Sequence, residues 1–419
     1  MASLSLDGDI ETSWRYAGWR VVLACFVMAT FAWGFGFYGQ SVFLAELPRL
    51  HGWPSSLVST AITAYYFLGA ALVAFVSDLL RRLGPKGLVL AGIASLGASA
   101  ASLTVIAAPW QLFAAYLVMA FGWAAMSLGA ISNILGLWFD HKRGLAISLA
   151  LNGASFAGVA LVPLLVLLVG TVGFADAVLL AVAAMVLLLG PMTFLWIDRP
   201  GVGRKGNPDG EGTEAASRTV GETGWTKARA LRSVHFWGIS GSFALALLVQ
   251  VGFIVHQIAF LEPMLGRAQA GIAVSVTAIM ALIGRVGLGV VIDRLDQRLT
   301  TAISLASQAA ALFVLTQTTS IAVLFAACAV YGLSVGNIIT LPSLIIQREF
   351  ETASFGLLIG LSTAVCQIVY AAGPGLLGLL RDATGGYMVP LVLCAALDLA
   401  AAAIILAGRS SAPAKRLDG

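Results

Sequence analysis

Arg285 lies inside a long apolar run, about seven residues from its polar end, which at ~1.5 Å per helical residue is roughly 10 Å of depth. A guanidinium in such a place is costly, so it needs a polar cavity or a partner. Its planar fork holds a carboxylate by two parallel hydrogen bonds, which makes Arg285 the leading candidate to grip an anion. The competing role is structural: the side chain reaches back to the interface and helps a gate to close. His256 lies in another apolar run. It either donates to a carboxylate and takes up a proton near neutral pH, or serves as a hydrogen-bonded histidine between helices. Tyr38, Gln40, Asn133, Asn152, Tyr331, Asn337, Gln367 and Tyr370 are further polar residues within the apolar runs. Such side chains either face a polar cavity or hydrogen-bond one helix to the next. Asp398 falls near the middle of the last run and is expected to be neutral and hydrogen-bonded. Glu46 and Glu262 fall at the ends of runs and are expected to be solvated charges.

The elements that position these residues are membrane helices. Hydrophobic residues make up 59% of the 419-residue chain and charged residues only 11%, where soluble domains carry about 25%. With a mean hydropathy of +0.93, the chain cannot build a soluble surface. A bilayer core of about 30 Å needs roughly 20 apolar residues per helix. Runs that meet this fall near 18–44, 55–80, 87–107, 110–138, 143–170, 173–197, 234–262, 268–292, 299–318, 320–347, 353–380 and 386–408. The first is too long for the core of a cleavable signal and is expected to stay as a helix. The expected fold is therefore an all-α membrane protein of twelve transmembrane helices in two six-helix bundles, residues 1–197 and 234–419. A Gly- and Pro-rich polar linker, 198–233, joins them, with one short surface helix near Trp225–Arg232.

The cations test this topology independently. With the N-terminus inside, Arg49, Arg267 and Arg381 fall in outside loops and Arg285 within a helix, leaving 20 of the 24 Lys and Arg on the inside. That asymmetry puts both termini in the cytoplasm and the chain in the inner (plasma) membrane. The Lys and Arg form no continuous patch, so no nucleic-acid partner is expected. The four cysteines lie in apolar runs without metal or disulfide spacing, and no metal or cofactor is expected. Four histidines and no nucleophile motif give no clustered catalytic set, so an enzyme is not expected. A sensor is disfavoured by the short tail and the lack of a soluble domain.

A repeat is visible at the level of motifs. Arg82-Leu83-Gly84-Pro85-Lys86 follows the second run, and Gly289-x3-Asp293-Arg294-x3-Arg298 follows the eighth. The fifth run holds Gly144 and Pro163, 19 residues apart, and the eleventh holds Gly356 and Pro374, 18 apart. Further motifs sit at helix boundaries: Tyr16-Ala17-Gly18-Trp19-Arg20, Trp138-Phe139-Asp140-His141-Lys142-Arg143-Gly144-Leu145-Ala146, Gly284-Arg285, and Gly373-Pro374-Gly375 followed by Asp382-Ala383-Thr384-Gly385-Gly386-Tyr387. Together and in this order they resemble the major facilitator superfamily over almost the whole chain, and within it the bacterial monocarboxylate-porter and oxalate–formate-antiporter group. Two positions depart from the pattern. Arg81 stands where the superfamily's first loop motif has an Asp, with Asp78 one turn earlier, and Ala281 stands where eukaryotic monocarboxylate porters have an acid one turn before the arginine.

The resemblance implies secondary transport by alternating access, with a site near midplane between the halves. It implies that Arg285 clamps a substrate carboxylate, that His256 and the polar residues named above line the cavity, and that Lys142, Arg143, Asp293, Arg294 and Arg348 hold an inner gate. The expected substrate is a small organic anion, most simply a monocarboxylate such as lactate or pyruvate. The eleventh run has no second cation of the kind oxalate exchangers use, and the first run has no lysine. A proton is a candidate coupling ion, and a monomer in the bilayer is expected. The alternative within the fold is an exporter of drugs or other metabolites. It is disfavoured because the first run has no acid before Glu46, the fourth has none, and the fifth has only Pro163.

Overall fold

Twelve helices long and apolar enough to cross a membrane follow one another in the computed structural model, which describes residues 11, 13, 16–197, 225–351 and 354–408. They are α1 (Gly18–Tyr38), α2 (Ser55–Val73), α3 (Val76–Ser102), α4 (Pro109–Gly136), α5 (Arg143–Val172), α6 (Phe174–Trp196), α7 (Val234–Leu265), α8 (Arg267–Val291), α9 (Gln297–Gln317), α10 (Ile321–Glu349), α11 (Phe355–Thr384) and α12 (Met388–Ala407). No strand occurs among the described residues. In hydrocarbon every backbone polar group must be satisfied internally, and a long helix does this within its own segment. Residues 198–224 of the expected linker lie outside the described residues. A short helix, Lys227–Leu231, stands where the sequence leads one to expect it, with Thr226 Oγ1 accepting from the Arg229 N–H at 3.2 Å.

Local chemistry sets the helix ends. Pro109 opens α4 at a position that needs no N–H, and Gln111 Oε1 turns back to accept from the N–H groups of Ala107 and Ala108 at 2.7 and 3.0 Å. Asp296 Oδ1 caps α9, accepting from the N–H groups of Arg298 and Leu299, both at 3.0 Å. Gly266, at φ 78°, turns the chain from α7 into α8 in one residue, a conformation that favours glycine.

Helix α3 is kinked at Gly84 (φ 71°, ψ 167°), ahead of Pro85, and four more helices are interrupted where an unbroken ladder would run. Gly34–Tyr38 and Ala157–Leu161 form π turns in α1 and α5. Helix α4 breaks at Ser127, which is extended (ψ 179°), and α11 restarts at Gly373-Pro374 after Ala372. Such breaks loosen backbone groups inside a membrane, and π turns recur at functional sites. The four broken helices carry Tyr38, Asn133, Asn152, Gln367 and Tyr370.

The chain packs as two compact units: Met1–Pro208 with Val255–Ser275, and Asp209–Ile254 with Val276–Gly419. In the first, glycine lets backbones meet. Gly153 of α5 lies on the Phe26 carbonyl of α1, and Gly122 of α4 lies on Leu96 of α3. The second repeats the device: Gly332 and Gly336 of α10 lie on Thr277 and Ala281 of α8, and Gly373 of α11 lies on Leu248 of α7. Large apolar side chains remain uncovered elsewhere, such as Leu187, Phe194 and Leu195 on α6, and these suit a lipid boundary.

Candidate functional site

Arg285 projects from the α8 face that packs most closely on α10. A Cβ placed on Gly336 would stand 2.9 Å from the Arg285 backbone N and would collide with the Ala281 carbonyl; one placed on Gly284 would collide with Leu333. The interlocked glycines fix the depth and rotation of the arginine. The side chain is half-buried, its Nε is buried without a hydrogen-bond partner, and no described acid pairs with it. A cation with an unfilled donor and no described counter-charge can hold an anion by two parallel hydrogen bonds, or reach a polar interface.

Other polar groups of the second unit are engaged to different degrees. Asn337 Nδ2 donates to Ser304 Oγ at 3.2 Å, which leaves its Oδ1 without a partner. Tyr331 is fully buried; its hydroxyl makes a long hydrogen bond of 3.4 Å to the Gln250 carbonyl and its ring meets the edge of Phe253. Gln367 and Tyr370 of α11 are half-buried.

In the first unit, Gln40 is fully buried and its Nε2 donates to the Phe35 carbonyl at 2.9 Å, bracing the π turn of α1. Tyr38 closes that turn, its carbonyl accepting from Ser41 Oγ at 2.7 Å. Asn133 donates to Ser77 Oγ at 3.2 Å, Asn152 is exposed, and His256 is fully buried and not free of partners.

Two charged clusters stand apart from these residues. The first joins Glu46, Arg49, Glu262 and Arg267. Arg267 places Nη2 2.8 Å from Glu46 Oε1 and Nε 3.3 Å from Glu262 Oε1, while Arg49 pairs with the other Glu46 oxygen. Glu46 is 3% exposed, and burial raises its pKa above the usual carboxylate value despite both arginines. The expectation that Glu46 is a solvated loop charge therefore fails. Helix continues beyond α1 over Gln40–His51 and carries the carboxylate into the packing. Nearby, Arg267 Nη1 donates to the Val169 carbonyl at 3.5 Å and Ser275 Oγ to the Val159 carbonyl at 3.1 Å.

The second cluster, in the other unit, centres on Arg298, which grips Glu349 through two parallel hydrogen bonds of 2.6 and 2.7 Å and donates through Nη1 to the Ile405 carbonyl at 2.7 Å. His235 Nε2 stands 3.0 Å from the same carboxylate. Of the two partners, Arg298 stands in the motif that follows the eighth run, whereas nothing in the sequence singles out Glu349 as its partner. They are 51 positions apart, and the one available signal was an acid in the last turn of a helix, where the dipole disfavours it and a cation is needed. The residues expected at a gate are placed differently. Lys142, Arg143, Arg294 and Arg348 pair with no described acid, and the side chain of Asp293 lies outside the described residues. Arg143 reaches the Ser132 carbonyl at 3.5 Å, and the Lys142 backbone N–H donates to Glu11 at 2.9 Å. Asp78 pairs with Arg81 one turn later. Among the described residues no group of His, Cys, Asp and Glu could hold a metal, and the four cysteines are buried thiols.

Comparison with known proteins agrees with this architecture. The family model described as Major Facilitator Superfamily matches residues 24–374. Monocarboxylate transporter 13 of Rattus norvegicus is 26% identical over 405 residues, covering 93% of this chain and 88% of that protein. Two solved structures share the fold. A bacterial homolog to the human lysosomal transporter Spinster, inward-facing and occupied, is 14% identical with a TM-score of 0.72, covering 96% of this chain and 98% of that one. The nucleoside transporter NupG is 13% identical with a TM-score of 0.74, covering 93% and 99%.

Proposed function

Because the chain belongs to the Major Facilitator Superfamily and is a multi-pass membrane transporter of that kind, we propose that it carries a small organic anion, most simply a monocarboxylate, by alternating access. One observation carries this reading: Arg285 is an interior guanidinium with an unfilled Nε donor and no described acid to neutralise it. A single carboxylate would satisfy it with two parallel hydrogen bonds. Buried Tyr331 and half-buried Asn337, Gln367 and Tyr370 in the same unit would shape the rest of the site, and His256, Tyr38, Gln40, Asn133 and Asn152 are the candidate substrate-binding residues of the other unit. Similarity to a monocarboxylate transporter supports the substrate class. The likeness to Spinster and nucleoside carriers concerns fold, at 13–14% identity.

The excess of cations in alternate loops supports an inner-membrane location with both termini cytoplasmic. On that orientation the Glu46–Arg267 cluster belongs to the outer face and the Arg298–Glu349 cluster to the inner one. Lys142, Arg143, Asp293, Arg294 and Arg348 then act at the inner gate. The transporter works as a monomer. Proton coupling does not run through the position of Ala281, which offers no acid. The test is uptake of labelled lactate, pyruvate and oxalate by proteoliposomes bearing the wild type or Arg285→Ala. Uptake of a monocarboxylate that falls to background in the variant is expected. Equal uptake by the two proteins overturns the carboxylate clamp.

A further inference from the structure

The short helix Lys227–Leu231 stands just before α7 and is held there from one side. Ala230 is fully buried in the apolar core of its unit. Trp225 donates its backbone N–H to Ser354 Oγ at 3.1 Å and sets its ring edge-on to Phe350, with centroids 5.0 Å apart. Trp237 of α7 closes the other end, its Nε1 donating to the Leu231 carbonyl at 2.8 Å. The opposite face is open and basic. Trp225, Thr226, Ala228, Arg229, Arg232 and Ser233 line a cavity of about 530 Å³. The Arg229 guanidinium lies 4.7 Å from the Trp225 ring centroid, so the ring orients this cation at the cavity. No described acid pairs with Lys227, Arg229 or Arg232. Beside these cations the apolar side chains of Leu231, Val234 and Trp237 are 45%, 78% and 42% exposed.

We propose that this cavity binds the headgroup of an anionic phospholipid. Arg229 and Arg232 hold the phosphodiester, whose oxygens match the guanidinium fork, and Lys227 adds charge beside it. The acyl chains run along Leu231, Val234 and Trp237. Cations next to a membrane helix are drawn to an anionic lipid surface, and tryptophan favours the same boundary. A soluble anion would satisfy the cations and leave the three apolar side chains in water, whereas a lipid covers both. The preceding linker is a poorer occupant. Residues 198–224 hold five acids and four bases, so they bring almost no net charge to the cavity. Because Trp225 is tied to Ser354 and Phe350, a bound lipid pins the point where the linker enters the second unit to the bilayer surface. On the orientation proposed above the leaflet is the inner one, and the binding itself depends neither on that orientation nor on which anion is carried.

Two measurements on the full chain test it. Native mass spectrometry of the detergent-purified protein should show tighter binding of dioleoyl phosphatidylglycerol than of dioleoyl phosphatidylcholine. Arg229→Gln with Arg232→Gln should weaken the tightest-bound phosphatidylglycerol by about tenfold or more, the loss expected for two cations beside an anionic headgroup. Arg81→Gln with Arg82→Gln, at exposed cations elsewhere, should bind as wild type does. Equal affinity for the two lipids, unaltered affinity in the Arg229 and Arg232 variant, or the same loss in the Arg81 and Arg82 variant overturns the proposal. So does glycerol 3-phosphate that competes as well as the lipid, because the site then takes a soluble phosphate. Lipid binding that appears only with Asp209→Asn, Glu211→Gln, Glu214→Gln and Glu222→Gln also overturns it, because the linker then fills the cavity. The second measurement leaves both arginines in place. Ala228 lines the cavity and is exposed, while the four native cysteines are buried. A neutral maleimide should modify Ala228→Cys several times more slowly in nanodiscs containing phosphatidylglycerol than in nanodiscs of phosphatidylcholine alone. Equal rates overturn the proposal. Neither measurement involves transport, so the carboxylate clamp can fail with this site intact, and the site can fail with uptake intact.

Discussion

Glu46 and Arg267 meet at 2.8 Å across 221 positions of sequence, and Arg267 also reaches Glu262 while Arg49 covers the second Glu46 oxygen. Burial nonetheless dominates, and the Glu46 pKa is raised from its ordinary 4.5. A carboxyl whose folded-state pKa exceeds its unfolded value binds protons more tightly when folded. Stability is therefore greatest below the unfolded value and falls as pH rises from 4.5 through the raised one. The melting temperature of the purified protein should decline across that window. Glu46→Gln, which keeps the shape without the titration, should flatten the decline; an unchanged slope would assign it elsewhere.

Arg298 is held by both Glu349 oxygens and by the end of α12, so removing it strands a half-buried carboxylate. Breaking a buried pair from one side costs about 3–5 kcal/mol. Arg298→Ala should lower the melting temperature markedly, Glu349→Gln somewhat less, and the double variant Arg298→Met with Glu349→Leu should recover much of the loss. Additive losses in the double variant would mean that the pair is not the source.

Gly336 of α10 lies on the Ala281 carbonyl, one turn from Arg285. A side chain there must push α8 and α10 apart, and overpacking of this kind costs about 1–3 kcal/mol. Gly336→Leu should still insert and fold while losing anion-dependent thermal stabilisation. A Gly144→Leu control, at a position with open space, should keep it.

Arg285→Lys keeps the charge and loses the fork. Affinity for the transported carboxylate should fall by about tenfold or more, the worth of one charge-assisted hydrogen bond of roughly 1.5–3 kcal/mol. Concentration-dependent uptake measures this, and an unchanged half-saturation value would show that the two parallel bonds are not used.

Much of this arrangement can be read from residue types alone. The twelve helices follow from the length of the apolar runs, and the short helix at Lys227–Leu231 from the polar stretch around it. Arg285 stands out because a lone cation in an apolar run has few structural excuses. What escapes is whatever depends on partners far away in sequence. Glu46 looks like a loop charge until the helix is seen to continue past Tyr38 to His51. Glu349 looks like a helix-end acid until Arg298 arrives from the start of α9. Gln40 has the composition of a cavity residue, yet its amide is used on the Phe35 carbonyl exposed by the π turn, and a π turn leaves no periodic trace in sequence. Asp398 carries the opposite lesson, because an acid expected to be hydrogen-bonded has no partner.

The solitary guanidinium of α8 has an electrical corollary. The cluster of Glu46, Arg49, Glu262 and Arg267 holds two acids and two bases, so displacing it through a field does almost no work. Arg285 has no such partner among the described acids. On the anion reading, a loaded carrier is neutral at that site and an unloaded one carries a full positive charge there. The membrane potential, worth about 2.3 kcal/mol per charge per 100 mV, would then act on the return of the unloaded carrier and leave the loaded crossing untouched. Voltage would set how fast the cycle resets.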